Sequence, residues 1–157
     1  MTEFSSFRAL ATNLDAPRQT YPRAIADELE AQGTAIEASA KRKFGGYQTG
    51  WPPLAESTKA ERRRLGFTPN DPLFRTGGLR DAVGHKVEGD TSFIGVEPGQ
   101  TVRGPDGKEV DAAMVMEVQE YGRGHVPPRP VFGTVMEEDI DRHVDAFVLG
   151  IMTRLEL

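Results

Sequence analysis

The stretch from Thr134 to Leu155 constrains this chain most. Met136, Ile140, Val144, Phe147, Val148, Ile151 and Leu155 recur at a helical period and form one apolar stripe. Such a stripe needs cover, so the rest of the chain has to supply a second apolar surface. Thr134 and Glu137 have the spacing of a capping box. Glu137, Glu138 and Asp139 suit the positive end of a helix.

A partner stripe lies upstream. Ile25, Leu29, Ile36, Ala40 and Phe44 predict a second long amphipathic helix from about Pro22 to Phe44. Thr20 is placed to cap it, Pro22 suits its first turn, and Gly45-Gly46 stops it. Gly33 inside that helix costs about 1 kcal/mol against alanine. It marks either a close approach or a weak point. Further upstream, Phe4, Phe7, Leu10, Ala11 and Leu14 have helical spacing and predict a short helix or docking segment. Pro17 and Pro22 in "DAPRQTYP" are expected to break the pattern.

Between the two stripes the period changes. Val83, His85 and Val87 alternate, Gly89-Asp90 offers a two-residue turn, and Ile94 and Val96 alternate on the return. Thr76 is a candidate N-cap for one turn containing Leu79 and Arg80. Residues 101–111 predict a second hairpin around Pro105-Asp106-Gly107. Few apolar residues flank it, so it is expected to project. Ala112 to Gly122 allows helix or strand, and its Met, Glu and Ala content favours a short helix. Pro127, Pro128 and Pro130 exclude helix from "RGHVPPRPVFG", where Val131 and Phe132 suggest a short strand. A polar helix from about Leu54 to Leu65 carries Lys59, Arg62, Arg63 and Arg64.

The expected fold class is therefore α+β: a small antiparallel β-sheet packed with two long amphipathic helices, plus a projecting hairpin at 101–111. Residues 1–19 read as an N-terminal segment and 20–157 as a single domain. The hydrophobic fraction is only 38%. That suggests apolar surface completed by neighbouring subunits, or chain held in arms and tails.

Composition excludes several function classes. There is no cysteine, hence no disulfide and no thiolate metal site. A net charge of −5 argues against general affinity for nucleic acid. "MTEFSSFRALATNL" lacks the basic start and apolar run of a signal peptide. No run approaches the roughly 20 apolar residues of a membrane span. The protein is expected to be soluble when made, with no membrane partner.

Chemical motifs are sparse. His85, His125 and His143 lie in different elements, with no carboxylates at metal-ligand spacing. They read as surface or core-edge histidines. Glu137, Glu138, Asp139, Asp141 and Asp145 read as helix-start charge plus a solvated face. Ser5, Ser6, Ser39, Ser57 and Ser92 lie in no nucleophile elbow, and no phosphate-binding glycine loop occurs. Trp51, the single tryptophan, reads as a core aromatic or an interface rim residue. The expectation is no catalytic residue, no cofactor, no metal and no enzyme. "KRKFGGYQTGW" and "KAERRRLGF" mix basic and aromatic residues, as single-stranded nucleic-acid platforms do. A small nucleic-acid-binding protein using the basic helix at 59–64 is the alternative reading.

Four pieces in order resemble the tail-completion, or virion morphogenesis, proteins that act in head–tail joining of tailed bacteriophages. "GWPPLAESTKAERRRLG" is similar to a Trp-x-Pro-Leu motif followed by Thr and a basic helix. "LFRTGGLRDAV" resembles Leu-x-x-Thr-Gly-x-Leu-Arg-x-Ser/Ala. "QEYG" and "PPRPVFG" resemble the family's His/Gln-Glu-Tyr/Phe-Gly and Pro-x-Arg-Pro-Phe-Leu-Gly, ahead of an amphipathic C-terminal helix. The matching positions are Trp51, Pro53, Leu54 and Thr58; Arg75, Thr76, Gly77, Leu79 and Arg80; and Tyr121, Gly122, Arg129, Pro130 and Phe132. Val131-Phe132 departs from the usual Phe-Leu, and the hairpin at 101–111 looks like an addition.

The resemblance implies fold- and assembly-determining roles for these residues. It implies a homo-oligomeric ring of six or twelve copies at the virion neck or tail end, made in the host cytoplasm. Its neighbours would be connector and tail-tube or tail-terminator proteins. DNA would pass through the lumen without specific binding.

Overall fold

The computed structural model describes residues 7–155, with side chains from Thr20 onward. Phe4 of the predicted N-terminal helix lies outside the described residues. Among the described residues nine elements follow one another: α1 (Phe7–Arg42), α2 (Glu56–Arg64), α3 (Gly78–Asp81), β1 (Val83–Glu88), β2 (Thr91–Val96), β3 (Thr101–Arg103), β4 (Glu109–Asp111), α4 (Ala112–Tyr121) and α5 (Phe132–Arg154). The class is α+β, as expected, but the strands form two separate antiparallel hairpins, β1–β2 and β3–β4, rather than one sheet.

The break expected at Pro17 and Pro22 does not occur. α1 runs unbroken for 36 residues, and Thr20 lies inside it rather than at its start. Each proline removes one backbone donor and crowds the preceding turn, at a cost of about 3 kcal/mol or more. The twenty residues beyond Pro22 hold their own ladder and pack on both α5 and the first hairpin. α1 ends where Gly45 takes φ 88° and its N–H donates to Pro72 O at 2.9 Å.

The buried positions of α1 are mostly small. Ala24, Gly33, Ser39 and Ala40 are buried, whereas Ile25, Leu29 and Ile36 are only half-buried. Gly33 marks a close approach: an added Cβ would stand 2.6 Å from the His85 ring and 2.9 Å from Ser92 Oγ. The β1–β2 hairpin therefore lies directly on α1. Its register pairs Val83 with Val96 and Glu88 with Thr91, closed by Gly89 at φ 63°.

α5 lies antiparallel to α1. Lys43 pairs with Glu138, Gln32 meets His143, and Glu28 meets Arg154. Only part of the expected apolar stripe of α5 turns inward: Ile140, Phe147, Ile151 and Leu155 are half-buried. Val135 and His143 are buried, while Met136, Val144 and Val148 are each about half exposed. The reason lies in α1, which presents Glu28 and Gln32 to this interface. Polar and small residues of α5 match them better than large apolar ones.

The apolar core sits at the other end of the helix pair. It joins Ala40, Phe44, Trp51, Val83, Met116, Val131 and Val135, with Leu73, Phe74, Leu79 and Phe132 around it. α4 forms as a helix, capped by Asp111, whose Oδ1 accepts from Met114 N at 2.8 Å. The second hairpin does not simply project. Val102 lies over Gly78, Arg75 donates to Arg103 O, and Ala112 N reaches Gln100 O. Its turn, Pro105 to Lys108, is exposed.

Candidate functional site

The four motif pieces come together, and backbone chemistry joins them. Arg129 is buried beneath the loop before α2. Its Nε and Nη2 donate to Pro52 O at 3.2 and 3.0 Å, and Nη2 also reaches Pro53 O at 3.2 Å. Burial holds its pKa below the usual arginine value. Its backbone N–H donates to Gln119 O at 2.6 Å. A guanidinium suits this place because its planar fork can satisfy two carbonyls at once.

Glu120 ties the third piece to the fourth. Its carboxylate accepts from the backbone N–H groups of Val131, Phe132 and Gly133 at 2.7, 3.1 and 2.6 Å. These are the orphan donors of a helix start, and a carboxylate also suits the positive end of the dipole. α5 therefore begins at Phe132, so the strand expected at Val131–Phe132 is absent. The capping box expected from Thr134 and Glu137 is absent too: Thr134 Oγ1 donates back to Pro130 O at 2.6 Å.

The second piece shares with the others the lining of a cleft of about 640 Å³. Pro53, Leu54, Thr58 and Arg129 line it together with Arg75, Thr76, Gly77 and Leu79. Val102, Val110 and Val115 make it mainly apolar. Thr76 is not the cap of α3. Gly77, at φ 88°, holds that position, and Thr76 Oγ1 only accepts from Gly78 N at 3.4 Å.

Other predicted positions stand outside the cleft. Trp51 and Phe132 pack in or against the core, and Trp51 Nε1 is buried without a partner. Arg80 lies over the Phe74 ring at 5.0 Å and binds Asp81. Tyr121 is 78% exposed. Gly122 takes φ 75° beside Pro130's upstream neighbours, where a Cβ would meet Pro128 Cδ at 2.9 Å.

The basic helix changes character in the fold. Arg62 is buried and donates to Asp71 O and Phe74 O at 2.5 and 3.3 Å. Burial lowers its pKa. Lys59 pairs with Glu56 at 2.8 Å. Arg63 and Arg64 alone of the three arginines face solvent.

The histidines differ sharply. His85, on β1, is held by Glu37 through Nδ1 at 2.6 Å and by Glu30 through Nε2 at 3.1 Å. The Glu37 bond, then the Glu30 bond, raises its pKa against desolvation. His143 is buried on α5. Its Nδ1 donates to Gln32 Oε1 at 3.1 Å, and its Nε2 has no partner. Burial pushes its pKa down. His125 lines the cleft and is exposed. Among the described residues, no three His, Asp or Glu side chains are gathered as a metal would need. No described helix is long and apolar enough to cross a membrane.

Sequence reasoning missed Glu120, Arg62 and Asp111 as determinants. Glu120 sits within "QEYG", but its partners lie eleven to thirteen residues away, and no local pattern encodes them. Asp111 was legible as a polar residue just ahead of an apolar helix.

No family model, curated protein or solved structure matches the chain.

Proposed function

We propose that this chain is a structural subunit of a tailed-phage neck or tail end, which assembles into a ring that DNA traverses. The observation that carries this reading is the outer face of α5. Val144, Val148, Leu149 and Met152 are 52%, 51%, 66% and 44% exposed on one helix. Contiguous apolar surface of this kind marks an interaction site. A subunit that covers it with copies of itself needs no chemistry of its own.

Two further features support the reading. The motif residues serve construction: Arg129 grips backbone carbonyls, and Gly77 and Gly122 take positive φ. The net charge of −5 suits a lumen that DNA must pass without being gripped. The basic helix supports the nucleic-acid reading less, because Arg62 is turned inward to hold the 71–74 loop.

Negative-stain electron microscopy of the purified chain tests the proposal. Closed rings with a central opening are expected. A monomer that retards nucleic acid, with the effect lost at high salt and in an Arg63→Ala/Arg64→Ala variant, would replace this reading with the nucleic-acid one.

A further inference from the structure

Two described surfaces of this chain stand open, one convex and the other concave. The convex one is the outer face of α5. Val144, Val148 and Met152 follow one another there at i,i+4, each about half exposed. Asp141 and Asp145 stand three or four positions from Val144 and Val148, hence on the same face, and Glu137 extends it by one turn. These three carboxylates are exposed and are in no ion pair among the described residues. Like charges at i,i+4 destabilise a helix, so this face gains from cations set beside it.

The concave one is the cleft of about 640 Å³. Leu54, Leu79, Val102, Val110, Val115 and Val126 supply its apolar lining. Its charge is opposite to that of the whole chain: Arg62, Arg75, Arg103 and Arg129 line it against one carboxylate, Glu61. Arg62 and Arg129 are engaged by backbone carbonyls. Arg75 and Arg103 each donate to one carbonyl, Arg103 O and Gly107 O, and neither is in an ion pair among the described residues. An apolar cleft with unpaired guanidiniums takes an acidic, amphipathic partner. A helix with apolar anchors at i,i+4 and carboxylates between them fits that description. The outer face of α5 has this chemistry.

We propose that the outer face of α5 in one copy seats in the cleft of a second copy. This rests on the self-assembly reading above and names its contact. Val144, Val148 and Met152 enter the apolar lining, and Asp141 and Asp145 meet Arg75 and Arg103. No described α5 residue lines the cleft of its own copy, so the face is offered outward. Each copy carries one face and one cleft, and the two differ. A contact of this heterologous kind repeats around an axis until the ring closes. The motif residues that line the cleft thereby build the receiving half of the contact.

Two surface variants separate the halves. Val148→Asp alters the face and Val126→Asp the cleft; both positions are exposed, so each variant should keep the helical circular dichroism of wild type. Each alone should weaken self-association about tenfold or more in sedimentation. Mixed in equal amounts, they should form a dimer and nothing larger, because one working face and one working cleft remain. The full chain has no cysteine, so Val126→Cys and Val148→Cys proteins, mixed and oxidised, should give a 126–148 disulfide found by mass spectrometry. Arg103→Glu and Asp141→Arg/Asp145→Arg should each weaken assembly, and their combination in one chain should restore it. Val126→Asp protein that assembles as wild type does, or a 148–148 disulfide in place of the 126–148 one, would overturn this contact and leave the ring reading standing. A wild-type chain that stays monomeric at high concentration would overturn both.

Discussion

The two ends of the α1–α5 pair are built from different materials. At the end near Phe44, seven buried apolar residues from α1, the 51–54 loop, β1, α4 and α5 share one core. At the end near Glu28, a polar seam holds the same two helices together. Arg154 Nε donates to Glu28 Oε2 at 3.1 Å, Gln32 Nε2 donates to Glu28 Oε1 at 2.9 Å, and His143 Nδ1 donates to Gln32 Oε1 at 3.1 Å. Glu28 and His143 are both buried, and the Glu28 carboxylate lies hard against Gly150. Apolar burial is non-directional and tolerant of small shifts. A buried polar chain is strong only when every member keeps its geometry. The difference teaches that one end sets how stable the pair is, while the other sets its register and its response to pH.

The largest test strikes the apolar end. Trp51→Ala should cost about 3–5 kcal/mol, as cavity-forming losses of buried aromatics do. Urea unfolding followed by circular dichroism reads this directly. A loss below 1 kcal/mol would mean that the core does not depend on the tryptophan.

Glu120→Ala comes next. It strips three backbone N–H groups at the start of α5 of their acceptor, which should cost about 2–3 kcal/mol. Glu120→Gln should retain part of that, because its amide oxygen still accepts. Hydrogen exchange at Val131 to Gly133 should accelerate in Glu120→Ala before the core opens.

The polar end should respond less to a single deletion. Arg154→Ala leaves the buried Glu28 without its cation, but Arg154 is 40% exposed. Solvent screening therefore limits the cost to about 1–2 kcal/mol. Glu28→Leu/Arg154→Leu should be near neutral, because an apolar pair of similar size avoids desolvation altogether. A cost for the double variant well above that of Arg154→Ala would show that the seam does more than fix register.

The smallest effects are those of pH, and the two histidines give opposite signs. His143 has a folded pKa held below its ordinary value. Its neutral form costs nothing above about pH 6.5. As pH falls below that, the unfolded chain takes a proton that the folded chain refuses, and stability drops. His85 has a folded pKa raised by Glu37 and Glu30. Its contribution is full below about pH 6.5 and fades as pH rises through the raised value. His143→Gln should therefore flatten the acid side of a Tm–pH curve, and His85→Gln the side above neutrality. Matching slopes in wild type and both variants would remove the contrast.

Much of the fold was legible where the signal is local. Gly89-Asp90 between alternating residues placed the first hairpin, and Pro105-Asp106-Gly107 placed the second. The α4 and α5 helices followed from composition and period. The motif cleft was legible only as a set of residues, because the bonds that assemble it span long sequence separations, as from Arg129 to Pro52. The inward turn of Arg62 was illegible for the same reason. Nothing in "ERRRL" says which of three arginines finds carbonyls to bind.

By itself, the sequence determined the two hairpin turns and the presence of helices α4 and α5, because turn chemistry and periodicity act over a few residues. Only the tertiary structure decided which side of α5 faces α1, which carboxylate starts α5, and that α1 continues through two prolines. Each of those outcomes depends on what the rest of the chain brings alongside: Glu28 and Gln32 against His143, Glu120 against Val131, and a packed second half behind Pro22. Burial and hydrogen bonding between distant segments outweigh local preference wherever the two disagree.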